Sequence, residues 1–405
     1  MPQAPDPLAP LRAAAAARAA AGLRRGLHPR GPGHAGLTDL ASNDYLGLAT
    51  HPEVIEAAIE AAREWGTGST GSRLVTGSTA LHAALEQALA AFAGAQSALV
   101  FSCGYLANLT AVTALAAALR PPAAQAGPGA ATLIVSDEAN HASLVDACRL
   151  ARARVEITGH QDVAAVERAL RQRREPAALV VTESAFSLGG DLAPLPALHR
   201  VTRAHGALLL VDEAHALGVV GPGGRGAVWE AGLAAEPGVV RTVTLSKALG
   251  AQGGAVLGAS EVTGTLAETG RGFIFDTALA PPSAGAALGA LRVLAARPHL
   301  ATQARQNARR LADLATGYGL AVTEPAAAVL TVGIGDPGLA VAAQRICADH
   351  GVLAGCFRPP SVPPGGSCLR LTARADLTES DFEAADRALA AVRDHVRTVS
   401  AAGRK

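Results

Sequence analysis

Ala207-Leu-Leu-Leu-Val211-Asp212-Glu213-Ala214-His215 sets an unbroken apolar run directly against three ionisable residues. A short run without polar alternation fits a strand buried on both faces, and the polar residues then stand where the strand ends. The same construction recurs outward in both directions, at Ser97–Ser102, Thr132–Ser136, Ala178–Thr182, Val243–Ser246 and Gly254–Gly258. Stretches of helical period lie between most of these runs, among them Leu144–Ala151, Val163–Gln172 and Pro194–Ala204. Apolar strands alternating with helices predict an α/β fold with a mostly parallel sheet covered on both faces, whose ligands bind at the carboxyl ends of the strands. The chemistry is therefore expected just after each run.

Beyond Pro281 and Pro282 the pattern changes. Long helical stretches (Ser283–Ala296, Leu300–Gly317) lead to short strands near Val329–Ile334, Gly351–Phe357 and Cys368–Thr372, then to a closing helix from Thr378. This predicts a smaller C-terminal α+β domain. The division expected is an N-terminal segment over 1–45, a large domain over 46–282 and a small one over 283–405. Leu8–Arg30, rich in Ala and Arg, reads as an amphipathic N-terminal helix, with an organelle transit peptide as the alternative. Pro121–Gly129 reads as a surface loop between helix and strand.

Of 405 residues, 49% are hydrophobic and only 3% aromatic, so the core must be built from Ala, Val, Leu and Ile, with Gly allowing close approach. A net charge of +1 argues against a nucleic-acid surface as a property of the whole chain. No apolar run is long enough to span a bilayer; the richest, Leu106–Leu119, ends at Arg120-Pro121-Pro122. The five cysteines are scattered, never C-x-x-C, and read as reduced thiols of a cytoplasmic protein, favouring neither a disulfide framework nor a zinc site.

Three motifs look functional and fail on context. Gly66-Thr-Gly68-Ser-Thr-Gly71 and Gly221-Pro-Gly223-Gly-Arg-Gly226 match G-x-G-x-x-G, yet neither opens a βαβ unit. Asp212-Glu213-Ala214-His215 spells a helicase box, which requires a phosphate-loop lysine followed by Ser or Thr elsewhere. The chain has two lysines, and Lys247 precedes Ala248 while Lys405 ends the sequence. A metal centre from Asp137, His141, Asp212 and His215 lacks ligand spacing on a helix.

The strand-end residues make sense together. His141, Ser187, Asp212, His215, Thr244 and Lys247 each follow one of the predicted strands, and they are the groups pyridoxal phosphate (PLP) needs. A lysine forms a Schiff base with the aldehyde, and an aspartate keeps the ring nitrogen protonated so that the ring accepts electrons from a carbanion. One histidine can stack on the ring and the other can hydrogen-bond its hydroxyl. Backbone amides at Ser102-Cys-Gly104-Tyr105, between strand and helix, can hold the phosphate. Lys247 is the amine for this chemistry: 33 of the 35 basic residues are arginine, which cannot form the Schiff base.

The order of these groups resembles that of the fold-type I PLP-dependent transferases, and within them the α-oxoamine synthases, which join an amino acid to an acyl thioester with loss of carbon dioxide. The resemblance runs through Ser42-Asn-Asp-Tyr-Leu-Gly-Leu48, Gly66–Gly77, Asn140-His-Ala-Ser143, Glu183-Ser-Ala-Phe-Ser187-Leu-Gly-Gly-Asp191, Val211–His215, Thr244-Leu-Ser-Lys247 and Leu369-Arg-Leu-Thr372. Arg358-Pro-Pro-Ser-Val-Pro-Pro364 is similar to the stretch that marks the biotin-pathway branch, where threonine usually stands in place of Ser361.

For this chain the resemblance implies condensation of L-alanine with a pimeloyl thioester, carried by coenzyme A or an acyl carrier protein, in a cytoplasmic homodimer binding neither nucleic acid nor membrane. It implies that Lys247, His141 and Asp212 are catalytic, and that Gly104, Tyr105, Ser187, His215 and Thr244 help hold PLP. Arg24, His141, Ser361 and Arg370 meet substrate, Arg370 through the alanine carboxylate. It further implies that Thr277 reaches the phosphate of a partner subunit and that Gly66–Gly77 packs near the cofactor at the dimer interface. Two alternatives stand beside this: a sibling synthase using glycine or serine with another acyl-CoA, such as a glycine C-acetyltransferase, and a non-catalytic protein retaining the fold.

Overall fold

A computed structural model describes residues 6–27, 29, 31, 36–121 and 131–402; most of the expected Pro121–Gly129 loop lies outside them. Among the described residues the strands are β1 (Thr38–Leu40), β2 (Ser97–Phe101), β3 (Thr132–Asp137), β4 (Arg154–Thr158), β5 (Ala177–Glu183), β6 (Leu208–Asp212), β7 (Val239–Thr244), β8 (Gly254–Gly258), β9 (Ala321–Val322), β10 (Val329–Gly335), β11 (Val352–Phe357) and β12 (Ser367–Thr372).

Seven of them form the large sheet, in the order β2-β8-β7-β6-β5-β3-β4. All its pairings are parallel except those of β8, which runs against both neighbours. The carboxyl ends of β2, β3, β5, β6 and β7 therefore share one edge, and the amino end of β8 comes back to it. Alternation along each strand serves two cores: Leu133, Val180, Leu209 and Val243 face one side, and Ile134, Leu179, Leu210 and Val240 the other. β4 escaped the sequence reading because Arg154 and Glu156 interrupt its apolar residues, as suits an edge strand.

The small sheet runs β1-β11-β12-β10-β9. Its apolar face packs on the helices His299–Gly317, Pro337–Asp349 and Glu379–Ala402 through Leu311, Cys347, Phe382 and Leu389. Its first strand comes from the N-terminal segment, pairing Thr38–Leu40 in parallel with Val352–Ala354. The N-terminal helix itself is shorter than expected, Ala9–Ala20, and buries none of its residues.

Shortage of aromatic bulk is met by close helix packing. Gly285 and Gly289 on helix Pro281–Ala296 lie over Ala57 and Ala61 of helix Pro52–Trp65. A Cβ at Gly285 would sit 2.5 Å from both the Ala57 carbonyl oxygen and the Ala61 Cβ. Gly264, on helix Ser260–Thr269, has nothing within 4 Å of such a Cβ. Gly285→Leu is therefore expected to lower the unfolding free energy by about 1–3 kcal/mol, and Gly264→Ala to raise it by roughly 0.5–1 kcal/mol. Urea titration of the two variants beside the parent chain measures both.

Candidate active site

The shared strand edge carries a cavity of about 260 Å³ whose lining includes Gly104, Tyr105, His141, Asp212, His215, Thr244 and Lys247. The strand order explains the gathering. β5, β6 and β7 are neighbours, with Glu183 level with Asp212 and Asp212 level with Thr242, so residues at their ends face one another across about 5 Å. Lys247 stands in the turn joining β7 to the antiparallel β8, where the chain reverses over the cavity.

Lys247 Nζ lies 2.7 Å from His215 Nε2, and His215 Nδ1 lies 2.5 Å from the Tyr45 hydroxyl. Burial pulls the Lys247 amine down to about 8; Asp212 and Glu183 oppose this and Arg370 adds to it. His215 is held well below its ordinary value, first by burial and then by the charges of Lys247 and Arg370, so its ring is neutral.

Asp212 Oδ1 accepts from the Ala214 amide at 2.8 Å, and Oδ2 accepts from Asn108 Nδ2 at 2.7 Å. The same Asn108 amide donates to Ser143 Oγ at 2.9 Å, and Ser143 Oγ lies 2.8 Å from His141 Nδ1, which also accepts from the Ser143 amide at 3.2 Å. With Nδ1 accepting, the proton of neutral His141 sits on Nε2. Burial lowers the affinity of His141 for a second proton, with Asp212 opposing and Lys247 assisting.

At the third corner the helix Gly104–Ala118 begins. Cys103 caps it, its Sγ accepting from the Leu106 amide at 3.4 Å and its carbonyl from the Ala107 amide at 3.1 Å. The first two amides, of Gly104 and Tyr105, are left for an anion. Glycine is required here: a Cβ on Gly104 would stand 3.0 Å from Thr244 Cβ, and one on Gly254 would stand 2.5 Å from the Gly104 nitrogen. Thr244 Oγ1 bonds the Gly253 carbonyl at 3.2 Å and lies 2.7 Å from Ser246 Oγ, fixing the turn that carries Lys247.

These features fit PLP. An amine, a carboxylate with lone pairs to spare, two neutral imidazoles and a helix start with two unengaged amides converge on one cavity, and the buried Asn108 Oδ1 and Glu183 Oε1 have no partner among the described residues.

Arg370 and Ser187 lie outside that lining but are joined to it. Arg370 Nε donates to the Ser187 carbonyl at 2.8 Å and Nη1 donates to Asn43 Oδ1 at 3.1 Å, which also accepts from the Tyr45 hydroxyl at 3.0 Å. The Ser187 amide donates to Glu183 Oε2 at 3.0 Å. Arg24 belongs to a separate, larger opening of about 860 Å³, lined by Ala15, Arg18, Arg24, Arg25 and Pro359; Ser361 is outside that lining and is joined to it by Arg25 Nη2, which donates to Ser361 Oγ at 3.2 Å. The lining of this opening holds no acid and no nucleophile, whereas that of the smaller cavity holds Asp212, Glu183, His141, His215 and Lys247. Thr277 is exposed and bridges Ser72 of its own chain, while Asp276 accepts from Ser102 Oγ. Arg73, in Gly66–Gly77, is engaged with Glu86 at 2.8 Å and with the Val100 carbonyl.

Sequence reasoning missed Glu183, Asn108, Asn43 and Tyr45 as members of the site. Glu183 closes the strand beside that of Asp212 and stands level with it, a signal that needed the strand order. Burial and the charge of Asp212 push its carboxyl up to about 8. Asn108 lies in a mainly apolar helix whose other polar side chains are Tyr105 and two threonines, so a buried asparagine there is itself an anomaly.

The model of the family described as aminotransferase class I and II matches residues 35–389. An 8-amino-7-oxononanoate synthase of Mycobacterium sp. (strain JLS) is 56% identical over 387 residues, 96% of this chain and 97% of that protein. A protein of the same name from Mycolicibacterium vanbaalenii is 57% identical over 388 residues, again 96% and 97%. Among solved structures, a Sphingomonas wittichii serine palmitoyltransferase superposes with a TM-score of 0.86 at 30% identity, covering 97% of this chain and all of that one. An 8-amino-7-oxononanoate synthase from Francisella tularensis shares the fold, with a TM-score of 0.75 at 24% identity over 90% of this chain and 99% of that one. On these matches the chain belongs to the class I and II aminotransferases, as a PLP-dependent acyltransferase of fold type I.

Proposed function

We propose that the protein condenses L-alanine with a pimeloyl thioester, releasing carbon dioxide and free thiol, with PLP bound at Lys247. The observation that carries this is the buried Lys247 amine, 2.7 Å from His215 and set with Asp212 around one cavity. The relatives named 8-amino-7-oxononanoate synthase and the Arg358–Pro364 stretch support alanine and a pimeloyl thioester over the glycine- or serine-using siblings.

When bound, PLP supplies a ring that stores the electron pair left by a lost proton or a lost carboxylate. The chain's own residues supply the rest. Asp212, seated by Asn108 and the Ala214 amide, is aimed to hold the ring nitrogen protonated. His141 would stack on the ring, and His215 and Ser187 would hydrogen-bond the ring oxygen. Gly104 and Tyr105 amides, with Thr244 below them, receive the phosphate. Arg370 receives the alanine carboxylate through the N–H groups not engaged by Ser187 and Asn43. Arg24, in the outer opening, and Ser361, joined to that opening through Arg25, are the chain's contacts for the acyl substrate.

Lys247 takes the alanine α-proton. At about 8 its amine is about one-tenth neutral at pH 7, against less than one part in a thousand for an ordinary lysine. Glu183, neutral at the same pH, adds no second negative charge beside Asp212.

Incubating the protein with pimeloyl-CoA and each small amino acid, then weighing the product by mass spectrometry, is expected to show condensation with alanine and not with glycine or serine. A glycine product with release of thiol would instead establish the sibling reaction. Lys247→Ala is expected to reduce turnover by on the order of a thousandfold or more and to abolish borohydride-trapped cofactor. Full turnover in that variant would exclude the assignment.

Glu183 also predicts a pH dependence of stability. Its folded value is raised, so the folded chain keeps a proton that the unfolded chain has lost. The resulting stability is complete below the ordinary carboxylate value and disappears as pH rises through about 8. Glu183→Gln, a permanently neutral analogue, is expected to lose less stability than the parent between about pH 6 and about pH 9 in urea titrations.

A further inference from the structure

Five side chains form an unbroken line from Arg370 to Lys247, and the proton positions along it have one consistent assignment. Arg370 Nη1 can only donate, so the atom of Asn43 that meets it at 3.1 Å is the amide oxygen. That same oxygen lies 3.0 Å from the Tyr45 hydroxyl, which must then donate to it. With its single proton so used, the Tyr45 oxygen can only accept from His215 Nδ1 at 2.5 Å. His215 is neutral, so its other nitrogen, Nε2, is bare where it meets Lys247 Nζ at 2.7 Å.

We infer that Tyr45, with Asn43, is a positioning residue that holds His215 in the Nδ1–H form, presenting a bare Nε2 to Lys247 and so setting how readily the lysine amine gives up its proton. In the other tautomer an N–H would face the ammonium and disfavour it. Tyr45 is fully buried and its hydroxyl is pushed up to about 12, so it keeps the proton the assignment requires. The charged and titratable groups around Lys247 are Asp212, Glu183, Arg370, His141 and His215; of these His215 alone touches the amine through a hydrogen bond whose sense can reverse. The catalytic consequence rests on Lys247 being the reactive amine of the proposed condensation. It also links the two ends of the site, since a carboxylate that drew Arg370 away from Asn43 would free the line.

The test reads Lys247 itself and needs no turnover. The full-length chain, freed of cofactor, is labelled with acetic anhydride across a pH series, and the fraction modified at Lys247 is compared by mass spectrometry with that at Lys405, the other lysine. In Tyr45→Phe the Nδ1–H loses its acceptor, and the ring is expected to adopt the Nε2–H form. The Lys247 titration then moves down by about one pH unit, a tenfold change in the neutral fraction. Asn43→Ala, which frees Tyr45 to donate to Nδ1, is expected to shift it in the same direction. An unchanged Lys247 profile in Tyr45→Phe overturns the inference, and lost stability with an unchanged profile assigns Tyr45 to packing alone. Should that variant fail to fold, Asn43→Ala decides by the same criterion. A shifted profile in a chain that makes no condensation product would overturn the proposed function and leave this inference standing.

Discussion

The contact on which the site depends is the one between a buried ammonium and a neutral imidazole, Lys247 Nζ to His215 Nε2 at 2.7 Å. Removing a lysine from water is unfavourable, and the fold offsets it with the charge of Asp212 at the end of β6 rather than with a closely paired carboxylate. A tight ion pair would fix the amine in its charged form. A carboxylate set one step back leaves its protonation balanced near neutral pH, which is what the proposed role of Lys247 as nucleophile and base requires. That balance in turn demands parallel neighbours β5, β6 and β7, because only then do Glu183, Asp212 and Thr244 emerge on one edge. The reversal into β8 brings Lys247 back over them.

Much of this was legible before any coordinates. Strand-end residues could be named from apolar runs because the large sheet is buried on both faces: five runs correspond to β2, β3, β5, β6 and β8, whereas the run Val243–Ser246 overlaps only the last two residues of β7, which starts at Val239. What escaped has a common physical reason. β4 is an edge strand with charged residues on its open side, and β1 is three residues long and owes its existence to pairing with β11, more than 300 positions away in sequence. Glu183 and Tyr45 carry no local signal of their role, since each matters through a partner on another element. Local pattern shows where polar groups end a strand, and only topology shows which of them meet.

The composition has a structural counterpart. Few aromatic side chains leave little bulk to hold helices apart, so helix Pro52–Trp65 and helix Pro281–Ala296 meet through Ala57, Ala61, Gly285 and Gly289 at near-backbone distance. The same economy recurs at the cavity, where Gly104 and Gly254 let the start of a helix touch the start of β8. Glycine there leaves room for two free amides and a threonine around an anion.

The stretch Asp212-Glu213-Ala214-His215 shows how one short sequence serves two faces. Asp212 is level with Glu183 and turns to the cavity, whereas the next residue, Glu213, turns the other way. There Glu213 accepts from the Val228 amide at 2.9 Å and stands 3.8 Å from Arg241, a cation 1% exposed that also donates to the Ala93 carbonyl at 2.7 Å. Two buried cations thus lie on opposite sides of one pair of adjacent acids. Arg241 stays charged because a guanidinium cannot be deprotonated in a protein, so it can only brace the fold. Lys247 can lose its proton, so it can react. In a chain whose positive charge is otherwise carried almost wholly by arginine, retaining a lysine at the position proposed to react follows from that difference in acidity.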